Sequence, residues 1–219
     1  MRFKNAIFDL DGTLTDSGEG ITKSVEYALQ KMGITDYETS TLYCFIGPPL
    51  LESFMQYFGM DKEDAELAVK YYRERYSDKG VYENYLYNGV KQLLTELKQN
   101  GMGIYVASSK PQLFVEKILK QHGIFEMFNF VAGASFDKTR ADKPSVLKYL
   151  MGNTEVTADN AVMIGDRMHD IEGAHAFNMK CIAVLYGFGN LEEFKAYKAD
   201  FVAKNTEDII KIIKENNNG

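Results

Sequence analysis

A chain of 219 residues with 45% hydrophobic and 26% charged side chains is ordinary globular protein, long enough for one large domain or a core with a smaller companion. Its net charge of −6, with no concentrated Lys/Arg stripe, speaks against nucleic acid or an anionic membrane surface as partner. No apolar window approaches a transmembrane helix, Asp9 and Asp11 come too early for a signal segment, and Cys44 and Cys181 have neither disulfide nor zinc-site spacing; a cytoplasmic protein with two buried thiols is expected.

Ala6-Ile7-Phe8 is a short apolar run ending in Asp9, the pattern of a buried strand that opens into a polar turn. Side chains two apart on an extended backbone point the same way, so Asp9 and Asp11 are expected to converge. Two like charges that close demand a cation or a shared proton. Gly12 permits a tight turn, and Thr13 adds a hydroxyl and a backbone N–H where an anionic oxygen could sit.

The next seventy residues read as helix after helix. Gly20 to Met32 carries an apolar stripe through Ile21, Val25, Ala28 and Leu29, with Gly33 as its stop. Ile46-Gly47-Pro48-Pro49 breaks regular structure, Leu50 to Phe58 is helical and closed by Gly59, and a tyrosine-rich helix runs from Lys62 to about Lys79. This is too much chain for a strand-to-helix loop, so residues 16–85 are expected to form an inserted helical domain.

From Tyr85 onward strands and helices alternate. Helices are expected at Gly89 to Gln99, Gln112 to His122, 144–151, Ile171 to Asn178 and Thr206 to about Glu215, before a frayed tail from Asn216. Strands are expected at Ile104 to Ala107, Phe130 to Ala132, Ala161 to Ile164 and Cys181 to Leu185, with a small edge strand at Asp200 to Val202. The pattern predicts an α/β fold: a Rossmann-like parallel sheet with helices on both faces, built from residues 1–15 and 86–219, plus the all-helical insert. Ligands of such sheets bind beyond the carboxyl ends of the strands.

Those strand ends carry the useful chemistry. Tyr105-Val106-Ala107 runs into Ser108-Ser109-Lys110-Pro111, where hydroxyls and a helix start can cradle an anion or simply cap the helix. Asp142-Lys143-Pro144 precedes another helix, with Lys138 and Arg140 as neighbouring cations that compete with Lys143. Val162-Met163-Ile164 runs into Gly165-Asp166, and Asp170 follows four residues later, on the same face if the turn is helical. Asp170 can be a helix cap, a metal ligand or both. His122, His169 and His175 are expected to be structural or surface residues.

Together these stretches resemble the four motifs of the haloacid dehalogenase superfamily in its phosphotransferase form: Asp9-Leu10-Asp11-Gly12-Thr13, Ser108, Lys143, and Gly165-Asp166 with Asp170. The helical insert falls where type 1 caps of that superfamily lie, and the phosphoglycolate phosphatase and bacterial 5′-nucleotidase groups are the most similar. Ser109 stands where many phosphoglycolate-phosphatase-like sequences have Asn. The resemblance implies a phosphatase of a small phosphorylated metabolite, phosphoglycolate-like or a nucleoside monophosphate. Mg²⁺ would be held by Asp9, the Asp11 carbonyl and Asp166, with Asp170 more distant.

It further implies Asp9 as nucleophile, Asp11 as general acid and base whose proton neighbouring negative charge would retain, and Ser108 and Lys143 as stabilisers of the phosphoryl group. Gly12, Thr13 and Ser109 would contact substrate. The cap would hinge near Asp16 to Glu19 and Tyr82 to Tyr87, with 46–49 and Arg73 facing the leaving group. A dehalogenase would need neither Asp11, Thr13 nor metal, and a phosphonatase would need a cap lysine more distinctive than Lys23. A sugar phosphomutase resembling β-phosphoglucomutase and a non-catalytic phosphometabolite-binding protein are the alternatives, and either a monomer or a homodimer is compatible with the chain.

Overall fold

The computed structural model describes residues 3–137 and 139–218; Lys138 and the terminal Gly219 therefore lie outside the described residues. Strand β1 (Asn5–Phe8) buries Ala6, Ile7 and Phe8 completely, and the chain turns through residues 9–14 into a two-residue strand, β2 (Thr15–Asp16). Helix α1 (Gly18–Lys31) points Ile21, Val25, Ala28 and Leu29 inward and ends before Gly33, whose φ of 75° suits a left-handed stop. After a 3₁₀ segment (Thr39–Phe45) come α2 (Leu50–Phe58), closed by left-handed Gly59, and α3 (Lys62–Asp78), capped by the Asp61 carboxylate on the Asp64 N–H. Strand β3 (Tyr85–Leu86) pairs with β2 at the two points where the chain enters and leaves this stretch.

Alternation then sets in: α4 (Val90–Gln99), β4 (Gly103–Pro111), α5 (Gln112–Gln121), β5 (Phe130–Ala134), α6 (Lys143–Gly152), β6 (Ala161–Gly165), α7 (Met168–His175), β7 (Lys180–Val184), α8 (Leu191–Ala196), β8 (Phe201–Ala203) and α9 (Thr206–Asn218). Six strands form one sheet in the order β5-β4-β1-β6-β7-β8, and every described pair is parallel. The side chains of Ile7, Met163, Cys181, Ala107 and Ala132 share a buried cluster with Val146, Leu147 and Leu150 of α6, Ile171 and Ala174 of α7 and Phe194 of α8. Alternate residues of the central strands, such as Phe8, Val106 and Ile164, are equally buried on the other face. Contacts divide the chain into two compact units, one running to Thr15 and resuming at Leu86, the other Asp16–Tyr85. No helix among the described residues is long and apolar enough to cross a membrane.

Several expectations are corrected. Cys44 is exposed; only Cys181 is a buried thiol. Strand β4 continues past Ala107, where its end was expected, through Ser108 to Pro111, which is the cap residue of α5. Lys143 is itself the first residue of α6, and the helix after Asp166 begins at Met168 and ends at His175. Residues 216–218 of the tail expected to fray are helical: α9 continues to Asn218, and Asn217 accepts from the Phe3 N–H at 2.6 Å and donates to the Phe3 carbonyl at 2.9 Å. Helix α8 and the 3₁₀ segment, which the sequence did not announce, are too short to show a clear period.

Candidate active site

Parallel pairing brings the carboxyl ends of β1, β4 and β6 side by side, with Phe8 beside Val106 on one flank and Ile164 on the other. Asp9 follows β1 directly and its N–H donates to the Ile164 carbonyl at 2.9 Å, which fixes the residue against β6. Asp166 follows β6, and Ser108 lies near the end of β4. Lys143 enters from the start of α6, where the Asp142 carboxylate accepts from the Ser145 N–H and Ser145 returns a contact to the Asp142 N–H.

Lys143 is the hub. Its ammonium lies 2.8 Å from Asp9 Oδ1, 2.8 Å from Asp170 Oδ1 and 2.8 Å from the Ala107 carbonyl, and the side chain is buried. The ammonium thus donates a hydrogen bond to the Ala107 carbonyl and forms ion pairs with two carboxylates. Burial disfavours the ammonium, but Asp170 and Asp9 outweigh it and hold Lys143 charged above the ordinary lysine range. Asp170 spends its other oxygen on two backbone groups, accepting from the N–H of Asp166 and of Arg167 at 3.1 Å each. It sits on the third residue of α7, not at the cap position itself, and so ties the turn after β6 to Lys143.

One acceptor atom from each of Asp9, Asp166 and Asp170 lies within 4.8 Å of the others. Three carboxylates against one ammonium leave surplus negative charge in a buried place. Accordingly burial, then Asp170 and Asp9, raise Asp166 well above the usual carboxylate range. Burial also raises Asp9, with Lys143 acting against it, Asp170 adding to it and a hydrogen bond from Ser108 opposing it. Asp166 Oδ2 accepts from the Phe188 N–H at 2.8 Å, while Asp166 Oδ1 is buried with no hydrogen-bond partner among the described residues. An all-oxygen set with surplus charge and an orphaned oxygen fits a hard cation such as Mg²⁺.

The loop after β1 behaves differently from its sequence expectation. The Asp11 carboxylate faces the Lys110 ammonium at 2.6 Å. The N–H groups of Gly12 and Thr13 close the loop on Thr15 and Leu10, at 2.8 and 3.3 Å, instead of standing free for an anion. What remains is the Thr13 hydroxyl, buried and without a hydrogen-bond partner among the described residues. Gly12 has φ of 80°, and a Cβ there would collide with the Asp166 carboxylate, so glycine is required twice over. Ser109 follows Ser108 half-buried on β4.

The segment after β7 had no motif to mark it. Tyr186 donates to the Thr13 carbonyl at 3.0 Å, Gly187 packs against Gly12 and Asp166, and Phe188 supplies the N–H that holds Asp166. Burial, then Asp166, raises the Tyr186 phenol, which keeps it a donor. Of the histidines, His169 is half-buried with its Nε2 unpartnered among the described residues, and His175 pairs with Asp200 at 3.0 Å. Arg140, the cation before Lys143, is committed to the Gly133 carbonyl and stacks on Tyr149. In the helical unit Arg73 is exposed, whereas Arg75 grips Glu83 through both terminal nitrogens at 2.7 and 3.0 Å.

The pattern of the haloacid dehalogenase-like hydrolases matches residues 6–184. The chain belongs to that family. A 5′-nucleotidase of Pseudomonas aeruginosa is 43% identical over 198 residues, 90% of this chain and 90% of that protein. The tyrosine-protein kinase PtkA of Mycobacterium tuberculosis is 36% identical over 204 residues, 93% of this chain and 67% of its own. Among solved structures, a predicted phosphatase from Clostridium acetobutylicum superposes with a TM-score of 0.93 at 42% identity, covering 98% of this chain and all of that one. The six-stranded parallel sheet is that of a haloacid dehalogenase-like hydrolase, and the family and these likenesses make the chain a phosphatase-type enzyme for a small phosphorylated substrate.

Proposed function

We propose that this hydrolase is a Mg²⁺-dependent phosphatase of small phosphomonoesters that works through an aspartyl-phosphate on Asp9. The observation that carries the reading is Asp9 itself: a carboxylate 2.8 Å from a buried ammonium, in a cluster with two more carboxylates, one of which keeps an unpartnered oxygen. The likeness to the Pseudomonas 5′-nucleotidase puts nucleoside 5′-monophosphates first among substrates, and a 29% identity to a phosphoglycolate phosphatase of Vibrio parahaemolyticus puts phosphoglycolate second.

An Asp9 oxygen attacks phosphorus in line, the ester P–O bond breaks, and the departing oxygen takes a proton from Asp11. Asp11 then takes a proton from the water that cleaves the aspartyl-phosphate, returning Asp9 and free phosphate. Lys143 neutralises Asp9 and the phosphoryl oxygens, while the hydroxyls of Ser108, Ser109 and Thr13 offer donors to those oxygens. Asp9, Asp166 and the Asp11 carbonyl would hold Mg²⁺, which would supply positive charge to offset that of the phosphoryl oxygens. Asp170 positions Lys143 and the turn bearing Asp166. Residues 16–85 would serve as the cap that excludes water and selects the leaving group.

Phosphate release is measured from nucleoside monophosphates, phosphoglycolate, sugar phosphates and phosphotyrosine, with Mg²⁺ or EDTA, beside Asp9→Asn. Metal-dependent turnover lost in the variant supports the reading, and ³²P retained on denatured wild-type protein places the intermediate. Folded, Mg²⁺-supplemented protein that releases no phosphate from any ester, or an Asp9→Asn variant as active as the parent, refutes it. Isomerised sugar phosphate without phosphate release identifies a mutase instead.

A further inference from the structure

Lys110 has no part in the mechanism above, yet it is among the most deliberately placed cations of the sheet. The register of β4 against β5 shifts between Ala107 and Pro111, and irregularities of that kind re-aim side chains beside active sites. The Lys110 ammonium meets Asp11 Oδ2 at 2.6 Å, with 7% of the Lys110 side chain and 15% of the Asp11 side chain exposed. Ion pairs on an open surface contribute little, whereas a buried ammonium persists only where its partners hold it in fixed geometry. The second oxygen, Asp11 Oδ1, is buried and has no hydrogen-bond partner among the described residues. The two oxygens of Asp11 are therefore inequivalent, one clamped and one free.

We propose that Lys110 is the positioning residue for proton transfer to the leaving group: it clamps Asp11 through Oδ2 so that Oδ1 is the oxygen that delivers the proton. The inference rests on the reading of Asp11 as the general acid. As the Asp9 oxygen bonds to phosphorus, the electron pair of the breaking ester bond stays on the leaving oxygen, and the proton of Asp11 Oδ1 moves to that oxygen. Asp11 is left as a carboxylate facing an ammonium already in place, so no side chain has to move to meet the new charge. Lys110 acts through Asp11 and does not itself contact the reacting atoms.

The test uses leaving groups of different quality. The value of kcat/KM reports the first P–O cleavage, where an alkoxide needs its proton and p-nitrophenolate does not. Wild type, Asp11→Asn, Lys110→Met and Lys110→Arg are compared with Mg²⁺ on the best alkyl phosphate and on p-nitrophenyl phosphate. Asp11→Asn should lose about 10²-fold or more on the alkyl ester and less than about 3-fold on the aryl ester, in line with general acid catalysis. Lys110→Met should follow the same split with an alkyl-ester loss of about 10- to 100-fold, and Lys110→Arg, which keeps a cation, should regain most of it. Equal losses on both esters by Lys110→Met, with Asp11→Asn still discriminating, overturn the proposal alone and make Lys110 a phosphate contact or a structural residue. An Asp11→Asn variant that does not discriminate overturns the acid reading and the proposal together. Lys110→Gln, uncharged and of similar reach, replaces Lys110→Met if that variant does not fold, with the same expectations.

Discussion

Replacing Lys143 by Met removes one ammonium and leaves everything around it in place. Each carboxylate 2.8 Å from the ammonium is attracted by about 6 kcal/mol at an effective dielectric of about 20, before desolvation is set against it. Breaking a buried pair from one side costs about 3–5 kcal/mol, because the remaining charges keep their burial and lose their partner. For a chain of this size each kcal/mol moves the melting midpoint by about 2–4 °C, so a fall of about 6–20 °C is expected at neutral pH in EDTA. The deficit should depend on pH in a set direction. Asp9, already raised by burial, loses the cation that opposes the rise, so the folded variant binds its proton more tightly than the unfolded chain does. Stability then falls as pH climbs through and above the unfolded carboxyl pKa of about 4, and the deficit is larger at pH 8 than at pH 5. Melting curves of both proteins at the two pH values check this. A Lys143→Met variant that melts within about 2 °C of the parent at pH 8, or a deficit that does not shrink on acidification, refutes the account of Lys143 as the hub.

Asp166→Asn keeps an acceptor for the Phe188 N–H and removes one buried negative charge, so the metal-free variant should melt higher than the parent at pH 8. It should also lose the Mg²⁺-dependent rise, which at a hundredfold excess over Kd amounts to about 2.7 kcal/mol in the parent; an undiminished rise in the variant would remove Asp166 from the ligand set. Gly12→Ala and Gly33→Ala share the penalty of about 1–2 kcal/mol for a left-handed residue with a Cβ, but Gly33 has open space around it while Gly12 faces Asp166. Denaturant unfolding should show Gly12→Ala to be the more destabilised of the two, with phosphate release lost only there; equal losses would show that the contact with Asp166 carries no weight.

The chemistry at the strand ends is legible because it is written in consecutive residues. An apolar run followed by Asp9, by Ser108 or by Gly165-Asp166 declares both a buried strand and a polar group at its carboxyl end, and a parallel sheet then brings those ends together. Lys143 is legible only by resemblance, since nothing local distinguishes a buried lysine at a helix start from a solvated one. Pairings between distant segments are not legible at all. Asp11 meets Lys110 from another strand, and Asp166 is held by an N–H from Phe188, a backbone group that any residue there would carry. The reach of α9 to Asn218 was hidden for a similar reason: the polar tail gains its order from Asn217 bonding to the Phe3 backbone at the far end of the chain.

The place of β1 in the sheet has a consequence for how the molecule comes into being. Of the strands of this sheet, the first to leave the ribosome is a central one, with Asn5 beside Gly103 on one flank and Ala161 on the other. Until those residues are synthesised, Ala6, Ile7 and Phe8 have no strand to pair with, although the whole of Asp16–Tyr85 has emerged and can settle through contacts of its own. Pairings of such long sequence separation form slowly and leave apolar segments open to aggregation in the meantime. The seat of Asp9 is thus among the last parts of the nascent chain to be fixed, and its order of birth is the reverse of its order of assembly.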